Sequence, residues 1–152
     1  MGSKVDVVRS FIDASWSDPP ASVIKANQDY LADNFQGFNQ DGVPTMNKET
    51  YINVTRLFLA AFADLKWVLR DFRLVGDGVL MSGHYEGTHT GDLDLSAMGL
   101  EVVKASGDKI IWPEALLVYK VEGDKIISER AYAGASGLDE LLAPLGVKLP
   151  VA

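Results

Sequence analysis

The chain has 152 residues, 47% hydrophobic and 23% charged, a balance that is typical of a globular domain in water. The net charge is −7 and the 14 Lys and Arg residues are scattered, so a surface that follows nucleic-acid phosphates is not expected. Cysteine is absent, which excludes disulfides, thiolate nucleophiles and zinc–sulfur sites.

Apolar residues at helical spacing in the first half of the chain predict three helices. The first runs from about Val5 to Trp16 and is ended by the prolines at 19 and 20, and the second begins near Ala21. Residues 35–40 alternate weakly and predict a short strand. Asn47 is predicted to cap a third helix, whose apolar face carries Tyr51, Val54, Phe58, Ala61 and Phe62.

After Asp64 the pattern changes to strands separated by glycine-containing turns. The pentapeptide Gly-Asp-Lys-Ile-Ile occurs at 107–111 and again at 123–127, and we interpret both Gly-Asp pairs as hairpin turns rather than as a duplicated unit. Ser136 is predicted to cap a short final helix. The predicted strands are Lys66–Val75, Leu80–Thr90, Glu101–Lys104, Ile110–Tyr119 and Lys125–Tyr132.

Helices followed by a run of antiparallel strands predict an α+β fold, with the helices packed on one face of a curved sheet. The whole chain, residues 1–152, is expected to form one domain. Its apolar runs are too short to cross a bilayer, and its N-terminus lacks the unbroken apolar stretch of a signal peptide. We therefore expect a cytoplasmic protein with no membrane or nucleic-acid partner.

Both histidines lie in the stretch SGHYEGTHTG, residues 82–91. Side chains alternate between the faces of a strand, so His84 and His89, five positions apart, are expected on opposite faces and do not share a metal. No third ligand stands at useful spacing, and no metal site is predicted. His84 falls on a polar face with Ser82, Glu86 and Thr88, whereas His89 falls on an apolar face with Val79, Met81 and Tyr85.

These faces leave two interpretations of each histidine. His84 is expected to be a solvated or interface residue. His89 is either a hydrogen-bonded histidine of the core or the polar group of an apolar ligand pocket.

The GTHTG segment at residues 87–91 resembles the strand end of the SnoaL-like polyketide cyclase family. The resemblance continues in order along the chain, from about Val5 to Val147. Ala61–Leu65 is similar to the F-P-D-L step between helix and strand, with alanine in place of proline. Further similar segments are Met98–Val102 at the P-T-G-K turn, Gly123–Ile127 at the D-G-K-I hairpin and Leu145–Val147 at the closing Q-L-G-V.

This resemblance implies a nuclear transport factor 2-like fold, also described as a cystatin-like barrel. In that fold a cone of curved antiparallel sheet wraps around helices and encloses a deep apolar cavity. It also implies aldol ring closure without a metal or organic cofactor, and a homodimer, or a higher oligomer, formed through the exposed sheet face. The family's acid/base is an aspartate four residues after a tryptophan in the last strand. Arg130 and Gly134 stand at those positions here, so the expected carboxylate is missing.

Other residues are candidates for the chemistry. His89 is the first candidate for an acid/base or oxyanion partner, and Glu114 is the second because a carboxylate facing a dry cavity has a raised pKa. The alternative for Glu114 is a strand start at the solvent rim, as Pro113 suggests. Asp64 stands at a helix–strand junction, where a turn-capping role is favoured.

Aromatic and cationic side chains are candidates for substrate binding. Arg130 and Tyr132 share a strand face and could bind an anionic or carbonyl oxygen, or else form part of a cross-strand ion pair. For the aromatic candidates the alternative is ordinary packing in the core. These aromatic candidates are Trp16, Phe35, Phe38, Tyr85 and Trp112.

The leading hypothesis is a protein that takes a small apolar carbonyl or polycyclic ligand into its cone. The chemistry would be cofactor-free proton transfer next to a carbonyl, as in aldol cyclisation, isomerisation or dehydration. The alternative is a non-catalytic hydrophobic-ligand-binding or dimerisation module that has lost the family's aspartate. A third possibility is an epoxide hydrolase of the limonene type, which needs an Asp–Arg–Asp group such as Arg130 with Asp64 or Asp71.

Overall fold

The computed structural model describes residues 3–134 and 138–147. Its helices are α1 (Lys4–Ser15), α2 (Ala21–Tyr30), α3 (Lys48–Ala61) and the short α4 (Leu138–Leu142). Its strands are β1 (Leu31–Phe38), β2 (Pro44–Asn47), β3 (Lys66–Val75), β4 (Gly78–Thr88), β5 (Leu93–Asp94), β6 (Val102–Val103), β7 (Lys109–Ile111), β8 (Ala115–Glu122) and β9 (Lys125–Ala133). Single 3₁₀ turns occupy Ser96–Met98 and Ala143–Leu145. The cap predicted at Ser136 lies outside the described residues.

Side-chain caps fix where the first and third helices begin. The Ser3 hydroxyl accepts from the backbone N–H of Asp6, whose carboxylate in turn accepts from the N–H of Ser3. The predicted cap of the third helix is confirmed, because Asn47 Oδ1 accepts from the N–H of Thr50 at 2.9 Å. Each such cap contributes about 1 kcal/mol to helix stability.

The main sheet has the strand order β2-β1-β9-β8-β4-β3, with β7 also paired to β4. The α+β class and the curved sheet predicted from the sequence are confirmed. One pair departs from the antiparallel expectation, because β1 runs parallel to β9. This parallel pair is possible because a long connection, including α3 and most of the strands, separates β1 from β9 along the chain.

Two features differ from the predicted strands. The predicted strand Ile110–Tyr119 is divided at Pro113 into β7 and β8, which both pair with β4. Gly107 does not form a hairpin turn: its N–H donates to the carbonyl of His89 at 2.9 Å, and the N–H of His89 donates to Asp108 at 2.9 Å. The Gly-Asp pair at 123–124 does form the predicted hairpin, between β8 and β9.

The core lies between the helices and the concave face of the sheet, in two clusters. One is centred on α1 and the middle of the sheet, and includes Val8, Phe11 and Tyr119. The other surrounds α3 and includes Phe62 and Trp112. Across the described ranges, no helix combines the length and hydrophobicity needed to cross a membrane.

Candidate functional site

Helices α1, α2 and α3 and the concave sheet face line a partly open cavity of about 110 Å³. Its wall is mainly apolar and aromatic. The three tryptophans of the chain all lie in this wall, at positions 16, 67 and 112. The polar side chains in the wall are Ser15, Asn27, Thr45, Tyr51, Thr55, Tyr85, Tyr119 and Glu129.

Among the described residues, Glu129 is the one carboxylate of this wall. It lies on β9 opposite Tyr119 of β8 and is 9% exposed. The Tyr51 hydroxyl on α3 donates to Glu129 Oε2 at 2.8 Å, and the Tyr119 hydroxyl also interacts with the carboxyl. A buried carboxyl is thus held by two phenols, one from α3 and one from the neighbouring strand β8.

Burial raises the pKa of the Glu129 carboxyl above its usual value, and the hydrogen bonds from Tyr51 and Tyr119 oppose part of this shift. Burial, with the nearby Glu129 as a further cause, also raises the pKa values of Tyr51, Tyr85 and Tyr119. All three phenols therefore keep their protons at neutral pH and can act as donors. The arrangement places a buried carboxyl beside neutral phenols in a mainly apolar cavity, a combination that suits proton transfer next to a carbonyl.

A β-bulge decides that Glu129 faces the cavity. Val121 pairs with Ile126, but the next residue, Lys120, pairs with Ser128, so Ile127 is an extra residue in β9. Simple alternation from the buried Ile126 would turn positions 128, 130 and 132 inward. The bulge reverses this alternation and turns Glu129 and Ala131 inward instead. No turn residue or periodicity in the sequence marks this bulge, and sequence reasoning therefore missed Glu129.

His89 points into the core as its predicted strand face requires, and it is 2% exposed. It does not line the cavity, however. Its ring stacks on Phe62 at 4.8 Å between centroids, and Phe62 packs edge-on against Trp112, which does line the cavity. Among the described residues, His89 Nε2 has no hydrogen-bond partner. His89 thus lies one layer of side chains behind the wall, which does not fit direct contact with a bound ligand.

The GTHTG segment has a structural role in this position. The N–H groups of Thr90 and Gly91 both donate to the carbonyl of Ala61, at the end of α3. A Cβ at Gly91 would lie 2.5 Å from the carbonyl oxygen of Ala60, so only glycine allows this close approach. The segment therefore fastens the end of β4 to the C-terminus of α3.

His84 faces the outside of the sheet, as predicted, and its Nε2 lies 2.7 Å from Glu86 Oε2. Lys66 and Lys109 also approach this carboxylate, at 3.6 and 3.7 Å. The hydrogen bond with His84 and the two lysines hold the pKa of Glu86 below its usual value. This cluster is an ion-pair group on the outer face, away from the cavity.

Glu114 lies in the short segment between β7 and β8, on the surface, and pairs with Arg70. Its side chain is 38% exposed and does not line the cavity. This is the solvent-rim position of the alternative interpretation, because Pro113 interrupts the strand before Glu114. Its predicted contact with a dry cavity is therefore not found.

The candidates for substrate binding fall into three groups. Trp16, Phe38, Tyr85 and Trp112 line the cavity. Phe35 is buried behind the wall, edge-on to Tyr51 at 5.2 Å. Arg130 and Tyr132 lie on the outer face because of the bulge, where the guanidinium sits 4.6 Å above the tyrosine ring. Tyr132 is 46% exposed.

The acidic groups of the hydrolase interpretation do not meet Arg130. Asp64 accepts from the N–H and the hydroxyl of Thr88 at 2.7 and 2.8 Å, so it joins the helix–strand junction to the end of β4 rather than capping the turn itself. Asp71 instead approaches Arg73 at 3.5 Å. Within residues 3–134 and 138–147, no group of three or more His, Asp or Glu side chains is placed to hold a metal ion.

Gly134 follows β9, at the position where the family pattern would place its aspartate. Its φ is +70°, a left-handed conformation that glycine adopts readily, and a Cβ there would lie 1.6 Å from the carbonyl oxygen of Glu114. The backbone thus leaves no room for a side chain at this position. Among the described residues, the carboxyl that lines the cavity is that of Glu129, within β9.

Comparison with solved structures shows the same class of fold. A candidate SnoaL-like polyketide cyclase from Jannaschia sp. CCS1 is 16% identical, with a TM-score of 0.70 over 97% of this chain and 93% of that one. IdmH, a candidate polyketide cyclase from Streptomyces antibioticus, is 19% identical, with a TM-score of 0.67 over 96% of this chain and 100% of that one. An NTF2-like protein from Burkholderia thailandensis E264 is 17% identical, with a TM-score of 0.65 over 95% of this chain and 96% of that one. The fold is therefore NTF2-like.

The family model described as SnoaL-like polyketide cyclase matches residues 6–140. The chain belongs to this family, as the GTHTG segment and the accompanying motifs predicted. None of the curated proteins compared with the chain matches it.

Proposed function

We propose that this protein binds a small apolar carbonyl compound in its cone and transfers a proton next to the carbonyl, with Glu129 as the base. The observation that carries the proposal is the buried Glu129 carboxyl, which accepts a hydrogen bond from the Tyr51 hydroxyl in a mainly apolar cavity. A carboxylate with a raised pKa is a stronger base than an exposed one, and its apolar surroundings exclude water that would otherwise solvate it.

The chemical step uses only groups of this chain. Glu129 takes the proton from the carbon next to the ligand's carbonyl, and the electron pair of that C–H bond moves into the enolate. Tyr51 and Tyr119 already donate to Glu129, so the neutral phenol of Tyr85 is the group assigned to donate a hydrogen bond to the enolate oxygen. Return of the proton to another carbon gives isomerisation, whereas attack of the enolate carbon on a second carbonyl gives aldol ring closure.

The cavity favours the smaller of the ligands considered. Its volume of about 110 Å³ is below the roughly 150 Å³ of a protein cavity that takes up benzene. A single small ring is therefore near the limit for the cavity, and a polycyclic ligand would have to displace part of the wall. Leu138 and Leu141 of α4 belong to this wall, so outward movement of this short helix would enlarge the space.

The proposal is tested by following deuterium uptake at the α-carbon of cyclohexanone in D₂O by NMR. We expect the wild-type protein to accelerate uptake and Glu129→Gln to lower the rate by roughly 100-fold or more, because a positioned base contributes about that much. The matched control is Glu122→Gln, the same substitution at an exposed position of β8, which should not change the rate.

Two further variants separate this proposal from the roles predicted from the sequence. Glu114→Gln and His89→Gln change residues that do not line the cavity, and we expect each to retain most of the exchange activity. Exchange that survives Glu129→Gln but is lost in Glu114→Gln would contradict the proposal. Cyclohexanone binding without any exchange would favour the alternative of a non-catalytic binding protein.

A further inference from the structure

Two buried N–H donors of the cavity wall have no hydrogen-bond partner. Within the described part of the chain, four buried polar side-chain atoms lack a partner: Asn27 Nδ2, Trp67 Nε1, His89 Nε2 and Arg130 Nε. The first two belong to residues that line the cavity, and the other two do not. A buried donor without a partner costs about 1–3 kcal/mol, so two such donors in one wall call for an explanation.

Each donor is fixed by its surroundings. Asn27 is 2% exposed and lies one helical turn after Val23 on the face of α2 that forms the wall. Trp67 on β3 packs its ring edge-on against Tyr85 at 4.8 Å and covers Gly83, where a Cβ would meet the indole at 2.7 Å. These contacts hold the indole in the wall without satisfying its N–H.

Trp112 provides the contrast. It also lines the cavity, but its Nε1 donates to the carbonyl of Leu141 at 2.9 Å and so fastens α4 over the wall. The structure therefore satisfies one indole N–H of the wall and leaves another unsatisfied. Packing alone requires an apolar side chain at position 67 and gives no reason for the nitrogen.

We propose that Asn27 and Trp67 form a recognition site for two oxygen acceptors of the ligand, distinct from the Glu129 carboxyl. The ligand class is a small apolar ring or chain with two carbonyl or ether-type oxygens. This inference rests on the proposed use of the cavity as a ligand site, but it does not require turnover. A ligand that lacks these oxygens would leave both donors unpaired, and the site therefore selects against pure hydrocarbons.

Binding of three ring compounds of similar size tests the site. Affinities of cyclohexane-1,4-dione, cyclohexanone and methylenecyclohexane for the full chain are measured by ligand-observed NMR titration. We expect the dione to bind most tightly and methylenecyclohexane, which has no acceptor, most weakly. Each oxygen is expected to contribute a roughly 3- to 10-fold difference, the size of one hydrogen bond.

Variants assign the difference to the two donors. Trp67→Phe and Asn27→Leu should each lower dione affinity by roughly 3- to 10-fold while leaving methylenecyclohexane affinity within about twofold. The matched control is Asn53→Leu, the same change as Asn27→Leu at an exposed position of α3 that does not line the cavity. It should keep the wild-type affinities for both the dione and methylenecyclohexane.

The possible results decide the inference. Equal binding of the dione and methylenecyclohexane by the wild-type protein would overturn it. If Trp67→Phe or Asn27→Leu still prefers the dione as strongly as the wild type does, the substituted residue does not bind a ligand oxygen. The proposal of a site with two donors would then be wrong. If Glu129→Gln leaves α-proton exchange unchanged while the dione preference remains, the proposed catalysis fails and the recognition site stands.

Discussion

At the scale of single residues, Glu129 is the unusual group of this molecule. Burying a carboxyl in apolar surroundings is unfavourable unless hydrogen bonds replace water. Tyr51 supplies one such bond at 2.8 Å, from α3 to β9. The remaining cost of burial still raises the pKa of the carboxyl, which makes it a better base while making the charged form less stable in the fold.

The stability of the protein should therefore depend on the charge of Glu129. Its pKa in the folded state lies above the usual 4.5, so the native state binds more protons than the unfolded chain between these two values. The stabilisation from the neutral form is fully present below 4.5 and is lost as the pH rises through the folded-state pKa. Glu129→Gln keeps the side chain neutral at every pH. We expect the melting temperature of this variant, minus that of wild type, to increase from about pH 4 to about pH 8.

Thermal unfolding followed by circular dichroism at a series of pH values measures this difference. Glu122→Gln serves as the control, because its exposed side chain should give a difference that is constant with pH. A constant difference for Glu129→Gln would mean that the carboxyl titrates as it does in the unfolded chain, and the prediction would be wrong.

The fate of individual side chains shows what the sequence can and cannot predict at this scale. The alternation of side chains along one strand correctly predicted that His89 points inward and His84 outward. It could not indicate that Phe62 separates His89 from the cavity, because that depth depends on packing from a distant helix. For Arg130 and Tyr132 it left ligand binding and a cross-strand ion pair both open, and it could not decide between them because the extra residue at 127 leaves no mark in the local pattern.

At the scale of elements, the end of β9 is fitted closely to the start of β8. Gly134 adopts φ +70° directly against the backbone of Glu114. This contact explains in physical terms why the aspartate of the family pattern is absent at this position.

Substitutions at two glycines with similar backbone angles test this fit. Gly134→Ala should lower the free energy of unfolding by about 2–5 kcal/mol, because the left-handed conformation and the collision with Glu114 both contribute. Gly107→Ala has φ +75° with open space around the position, so it should cost only about 1–2 kcal/mol. Urea denaturation measures both. Equal losses would show that the collision is relieved without cost.

Most elements could be predicted from the sequence because their signals are local. Asn47 and the apolar spacing after it defined α3, and Lys66–Val75 was predicted with the bounds that the structure has. The parallel pairing of β1 with β9 could not be predicted, since nothing near either strand records a partner so distant in the chain. The same holds for Gly107 and Asp108, whose backbone groups form hydrogen bonds with the backbone of His89 instead of forming a hairpin turn.

At the scale of the whole molecule, the NTF2-like cone accounts for where the cavity lies and why it is mostly apolar. The helices cover the concave face, so the residues of the wall come from nearly every part of the chain. The family and its cone were recognisable from motifs in order. The polar groups inside the cone were not, because the chemistry of a site can differ between proteins that share a fold.

The homodimer implied by the family resemblance remains a prediction at this scale. We expect sedimentation equilibrium of the full chain to give a mass about twice that of one chain at micromolar concentrations, since oligomers of this kind are usually twofold symmetric. A mass that stays at the monomer value over the whole concentration range would contradict it.

The positions of the three tryptophans have a practical consequence. All of them lie in the cavity wall, and Trp16 and Trp67 both contact the ring of Tyr85. The intrinsic fluorescence of this protein therefore originates almost entirely from the surface that a ligand would touch. Entry of a quenching or polar compound into the cone should shift and dim this emission without any label. Compounds that bind in the cavity can therefore be screened by the change in intrinsic tryptophan fluorescence.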